Sequence, residues 1–193
     1  MKIVDFTVAV GPGREPLTIE DAKEHLRIDQ HDEDVWLLDA IKAVRNRAEG
    51  MMGRALITQT LEVALDGWPS GRVIELPRPP LVSVTSVKYF SPADVESTLA
   101  ASNYYVDTRR TPGRLVLKST SSWPSVELRE VNGVIIRYVA GYGDTESDVP
   151  AEMRAAMKLW LGELYEVREN SAAGGLVTVP AAAEKLLLKY RVF

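Results

Sequence analysis

The sequence predicts an α+β fold: a helical bundle formed by the N- and C-terminal helices, with a central antiparallel β insertion. Three features carry that expectation. Apolar residues recur with the 3.6 period of a helix at both ends of the chain, they switch to alternation in the middle third, and the short alternating runs there follow one another without helices between them. The predicted division is 1–56 for the N-terminal helical part, 57–146 for the β-rich insertion and 147–193 for the C-terminal helical part.

The first helix lies in "PLTIEDAKEHLRI", where Thr18 is placed to cap and Asp21, three residues on, to answer it as a short-armed capping box. Ile19, Ala22 and Leu26 give this helix one apolar face. The polar break "DQHDED" follows. From about Asp34 to Met52, Leu37, Ile41, Val44 and Ala48 hold the 4-3-4 spacing, while Lys42, Arg45 and Arg47 occupy other faces. Gly50 and Gly53 are both available for a left-handed cap. After Gly53 the period becomes 2: "LEVALD" sets Leu61, Val63 and Leu65 against Glu62, Ala64 and Asp66. Further strands are expected at "VIEL", "VSVTSVKYF", "YYVDT", "RLVLKS" and "GVIIRYVAGY", with turns at "GWPSG", "SPAD" and "TPGR". The phase of "VSVTSVKYF" slips between Val84 and Val87, which implies a bulge near Thr85 and Ser86. Asp148 is the expected N-cap of a helix of about five turns with Pro150 in its first turn and Met153, Met157, Trp160, Leu164 and Val167 on its core face. "ENSAAGGLVTVP" reads as a loop, and Ala181 to Lys189 as a last short helix.

Composition narrows the function classes. A chain of 193 residues, 46% hydrophobic and 26% charged, is long enough to bury a core without metal or disulfide help. It contains no cysteine, which excludes a disulfide scaffold, Cys-ligated zinc and a thiol nucleophile. Asp5 interrupts the short apolar run at the N-terminus, so no signal peptide is expected, and no stretch approaches the roughly 20 apolar residues that span a bilayer. The expected site of synthesis is the cytoplasm. A formal charge of -4 argues against a general nucleic-acid binder but leaves room for a local basic patch.

Candidate chemistry is thin. His25 and His31, with Asp29 and Asp32 beside them, match no helical metal-binding spacing and read as surface histidines. "GPG" at 11–13 lacks the Lys-Ser/Thr of a phosphate loop, and no G-x-S-x-G nucleophile elbow occurs. Glu163, Glu166 and Glu169 lie three apart on the long C-terminal helix; paired carboxylates could do acid–base work, but a charged stripe opposite an apolar face is what an amphipathic helix shows anyway. Arg45, Arg47, Arg54 and Arg72 could form a basic patch or a solvated face. Trp36, Trp68, Trp123 and Trp160 are expected to pack rather than to bind. No catalytic residue, metal or cofactor is expected.

Segments spread along nearly the whole chain from about Leu17, in order, carry a resemblance: "LTIEDAKEHLRID", "GRALITQT", "LPRPPLVSVTSV", "NYYVDT", "PGRLVL", "VIIRYVAGYG", "VPAEMRAAMKLWLGELYEVREN" and the closing "LLLKYRV". Together they resemble the head-tail connector, or adaptor, proteins of long-tailed bacteriophages and prophages. None of these pieces is a catalytic signature; their order and spacing make the match specific. The resemblance implies a structural virion protein at the head-tail junction, made in the host bacterial cytoplasm. It implies a homo-oligomeric ring beneath the portal protein that extends the DNA channel and offers a surface to a tail-side or stopper protein, with DNA passing through unrecognised and no membrane involved. A head-to-tail ring needs two different complementary patches per subunit; the expected ones are the polar faces around Arg45 and around Glu163 and Glu166, together with the β segment. The terminal Tyr190, Arg191, Val192 and Phe193 are expected either to contact the portal or to fold back on their own helices. Two other classes stay open: a hydrolase using the carboxylates, and a tail-completion or assembly protein that forms no ring.

Overall fold

Helical and alternating segments sort into two units. A computed structural model describes residues 6–170 and 180–192. One unit takes residues through Pro12 together with Thr58–Gly141, and the other Gly13–Ile57 together with the chain from Tyr142 onward. The fold is a mixture of helix and antiparallel sheet, the class that the sequence predicts. Residues 6–12 group with the sheets, and β1 (Thr7–Val10) lies within the span read from the sequence as the N-terminal helical part.

The helical unit contains α1 (Ile19–Leu26), α2 (Asp34–Met52), α3 (Ala151–Asn170) and α4 (Ala181–Leu188). The Thr18 hydroxyl accepts the Asp21 N–H at 3.0 Å while the Asp21 carboxylate accepts the Thr18 N–H at 3.3 Å, so the capping box forms as read. Of the two glycines offered for the end of α2, Gly53 takes the left-handed cap, at φ 67°. Leu37, Ile41, Val44, Ala48 and Met52 of α2 share one core with Met153, Ala156, Met157, Trp160 and Leu161 of α3 and with Ala183 and Leu187 of α4. Asp148 does not cap α3. It closes the preceding short 3-10 turn by accepting from the Thr145 N–H at 2.9 Å and the Thr145 hydroxyl at 2.8 Å, and the carbonyl of Pro150 instead accepts from Met153 and Arg154 in the first turn of α3. With Thr145 it forms a second capping box there. The Gly174–Gly175 loop lies outside the described residues.

The β unit contains β1 (Thr7–Val10), β2 (Gln59–Leu65), β3 (Val73–Glu75), β4 (Leu81–Phe90), β5 (Glu96–Thr98), β6 (Tyr104–Asp107), β7 (Arg114–Leu117) and β8 (Val134–Ala140). They form a five-stranded sheet in the order β1-β2-β8-β4-β5 and a three-stranded sheet in the order β3-β7-β6, with every strand pair antiparallel. Alternation tells which face is buried: Leu61, Val63 and Leu65 of β2 and Val134, Ile136 and Tyr138 of β8 are each 3% exposed or less. The register of β4 against β8 shifts between Val84 and Ser86, placing a bulge at Thr85 where the phase slip located it, and shifts again between Leu81 and Ser83.

Two strands escape the sequence reading. All four residues of β1 are exposed, so no apolar alternation marks it, and β5 is three residues of "EST". It forms because the turn before it folds back on β4: Ser91 N–H donates to the Val95 carbonyl at 3.1 Å, with Asp94 left-handed at φ 57°.

The "LPRPP" stretch leads into β4 through contacts with both sheets. Leu76 N–H donates to the Gly113 carbonyl at 2.8 Å, the Tyr138 hydroxyl donates to the Pro77 carbonyl at 2.9 Å, and Gly141 N–H donates to the Pro80 carbonyl at 2.9 Å. Proline has no N–H to leave unsatisfied, so a buried Pro79 and its neighbours can offer carbonyls alone at this crossing.

Candidate assembly surfaces

Arg45 sits on the inward side of α2, 9% exposed, rather than on an open polar face. Its guanidinium donates to the Glu15 carboxylate at 2.6 Å and lies 3.5 Å from Glu49, and Glu49 in turn accepts the Leu56 N–H at 2.8 Å. A buried cation requires such partners, because each unpaired charge out of water costs several kcal/mol. The network ties the segment before α1, the last turns of α2 and the chain leaving it. Glu15 carried no signal in the sequence, since it is thirty residues from Arg45 and outside any periodic element.

Glu163 is half-buried and Glu166 exposed on α3, while the Glu169 side chain lies outside the described residues. Lower along the unit, three further pairs join distant segments: Asp21 with Lys158 at 2.6 Å, Glu33 with Arg168, and Glu152 with Lys189 at 2.9 Å. Each holds its carboxyl below the usual range, chiefly through the hydrogen bond from Lys158 to Asp21, from Arg168 to Glu33, and from the Tyr190 hydroxyl to Glu152.

The C-terminal segment is folded back on its own unit through Val192. The Val192 N–H donates to the Met52 carbonyl at 2.9 Å, Arg54 donates to the Tyr190 carbonyl, and the Tyr190 hydroxyl and Lys189 both donate to Glu152. Arg191 is exposed, and Phe193 lies outside the described residues.

Arg45, Arg47, Arg54 and Arg72, weighed as a basic patch or a solvated face, have separate surroundings. Arg45 is buried, Arg54 holds Tyr190, Arg47 lies 5.7 Å from the Trp160 ring centre, and Arg72 belongs to the other unit, where it donates to the Leu117 carbonyl at 2.8 Å. His31 lies beside Asp34 and Lys23, and no group of three or more His, Asp or Glu able to hold a metal ion occurs among the described residues. Trp160 is in the helical core, Trp36 meets Tyr165 edge-on under Arg168, and Trp68 stacks on Trp123 at 4.8 Å in the β unit, so all four indoles pack. No helix among the described residues is long and apolar enough to cross a membrane.

These surfaces fit a protein that works through contacts. Residues 16–87 match the family described as phage gp6-like head-tail connector protein. No curated protein sequence matches the chain. Among solved structures it is similar to a chain of the neck of an empty gene transfer agent particle computed with C6 symmetry, at 25% identity and a TM-score of 0.82, covering 98% of this chain and 96% of that one. It is also similar to a chain of the native particle's neck computed with C12 symmetry, at 24% identity and TM-score 0.79 over 98% and 96%, and to a chain of the native virion, at 23% and 0.81 over 97% and 95%. The resemblance to head-tail connectors read from the sequence is thereby borne out, and the proteins concerned are structural components of virus-like particles.

Proposed function

We propose that this chain is a head-tail connector that forms a ring at the neck of a phage-like particle, docks on the portal vertex, extends the DNA channel and presents a surface to a tail-side or stopper protein. The observation that carries the reading is the near end-to-end likeness to a neck chain at 25% identity, supported by the connector match over residues 16–87. In this reading the helices from the two ends of the chain act as one bundle, and the β unit is an insertion between them. Subunit contacts use the α3 face at Glu163 and Glu166, and Arg45 shapes the neighbouring surface from within through Glu15. Tyr190, Arg191, Val192 and Phe193 reach the portal. The fold-back of Tyr190 and Val192 favours a second reading, a self-contained tail-completion or assembly protein without a ring.

Light scattering over a concentration series, repeated with rings of the cognate portal, separates the two. A ring-sized mass, or a mass increment on the portal, is the connector result. A monomer that leaves the portal mass unchanged at every concentration overturns it in favour of the second reading.

A further inference from the structure

The arginines of the β unit divide into two groups. Arg72 donates to the Leu117 carbonyl, Arg78 stacks over Phe6, Arg114 pairs with Asp107, Arg129 with Asp94 and Arg137 with Glu62. Arg109 and Arg110, adjacent and exposed in the turn between β6 and β7, are different: among the described residues neither guanidinium makes a hydrogen bond, close ion pair or ring contact, and Arg110 acts on Asp107 only through its charge. The stretch 104–118 holds Arg109, Arg110, Arg114 and Lys118 against the single carboxylate of Asp107, in a chain whose net charge is -4. That carboxylate is engaged by Arg114 at 2.9 Å and by the Arg109 N–H at 3.2 Å and also feels the Arg110 charge, so one negative charge is shared among three arginines.

The turn that carries the pair is fixed from several sides. Asp107 ties both ends of it, the Gly113 carbonyl accepts from Leu76, and Gly113 sits so close to Leu81 that a Cβ there would lie 2.3 Å from the Leu81 Cβ. On the open face of the same sheet, the Lys118 ammonium lies 4.8 Å over the ring of Tyr105, itself 60% exposed. Two exposed guanidinia on a rigid turn, beside Arg114 and with Asp107 and Glu75 as the acids near them, present donors of the kind that arginine offers to phosphate oxygens.

We propose that the β6–β7 turn is a contact for the phosphate backbone of double-stranded DNA, made by Arg109 and Arg110 without reading sequence. The proposal rests on the connector reading for the presence of DNA beside the chain. Few, salt-sensitive phosphate contacts per subunit let DNA slide, which a conduit requires and a sequence-reading clamp would prevent.

The test titrates the full chain against a random-sequence DNA duplex across a salt series, by fluorescence anisotropy, for wild type, R109Q/R110Q and R129Q. Wild type and R129Q are expected to bind at about 50 mM salt, and R109Q/R110Q to bind about tenfold more weakly with a log–log salt slope smaller by about 2. An unchanged melting temperature shows that the double variant is folded. Equal affinity and slope for wild type and R109Q/R110Q overturn the proposal. So does a wild type that ignores DNA while R109Q/R110Q loses association with an acidic tail-side protein. Either result leaves the ring and portal measurement untouched, so the two readings fail separately.

Discussion

The helical unit and the β unit are held by charges of different reach. In the helical unit three ion pairs join segments from opposite ends of the chain, Asp21 with Lys158, Glu33 with Arg168 and Glu152 with Lys189, beside shorter-range ones such as Lys23 with Asp34. In the β unit Lys88 with Glu96, Asp107 with Arg114 and Glu62 with Arg137 link paired strands or the ends of a hairpin, and Arg129 reaches Asp94 between loops. Among the described residues the β unit leaves the Arg109 and Arg110 guanidinia exposed and without a hydrogen bond, while the helical unit buries even Arg45. Both units are built from two separated stretches of chain; in the helical unit long-range pairs join them, whereas in the β unit the β1–β2 hydrogen-bond ladder does so.

The largest expected effect breaks the helical unit alone. Leu37 is fully buried, so Leu37→Ala removes contacts and leaves a cavity at a cost of about 3–4 kcal/mol. Hydrogen exchange is expected to rise in α1, α2, α3 and α4 while β2 and β8 stay protected. Uniform loss of protection in both units would show that they do not open separately.

Arg45→Ala comes next, at about 3 kcal/mol, because it strands the Glu15 and Glu49 carboxylates in a buried site. Thermal unfolding checks it, and a melting temperature within a degree or so of wild type would show that water reaches those carboxylates freely.

Gly113→Ala is the converse probe. Its Cβ would lie 2.3 Å from the Leu81 Cβ, so the turn must shift, at about 2 kcal/mol. Exchange is then expected to rise in β4, β6 and β7 and not in α2 or α3.

The most graded effect is with pH. Asp21, Glu33, Asp34 and Glu152 of the helical unit are held low by hydrogen bonds from Lys158, Arg168, Lys23 and Tyr190, whereas Asp107, held by Arg114, is the one such carboxylate among the described residues of the β unit. A carboxyl with a depressed folded-state pKa stabilises fully above its unfolded value and loses that contribution as the pH falls through the folded one. Acidification below about pH 4 is therefore expected to open the helical unit first. Exchange measured at successive pH values checks the order, and earlier opening of the sheets would contradict it.

How much of this was legible in the sequence follows from the range of the interaction. The helix spacing at Leu37, Ile41, Val44 and Ala48, the Thr18 cap and the bulge at Thr85 are local patterns, and the structure repeats them. β1 and β5 were not legible, because an exposed four-residue run and a polar "EST" become strands only when β2 and β4 lie beside them. Arg45 was misplaced for the same reason: its helical position looks polar until Glu15 arrives from thirty residues away. The turn at Arg109 and Arg110 was visible as "TRRTPG", but its distinction lies in every other arginine of the unit having a partner, which only the fold reveals.

The most direct measurement for the connector reading is electron microscopy of the full chain mixed with rings of the cognate portal. The expected image is an added ring of density on one face of the portal, with subunits repeating about the common axis. Portal rings unchanged in outline, beside free single chains, would contradict it.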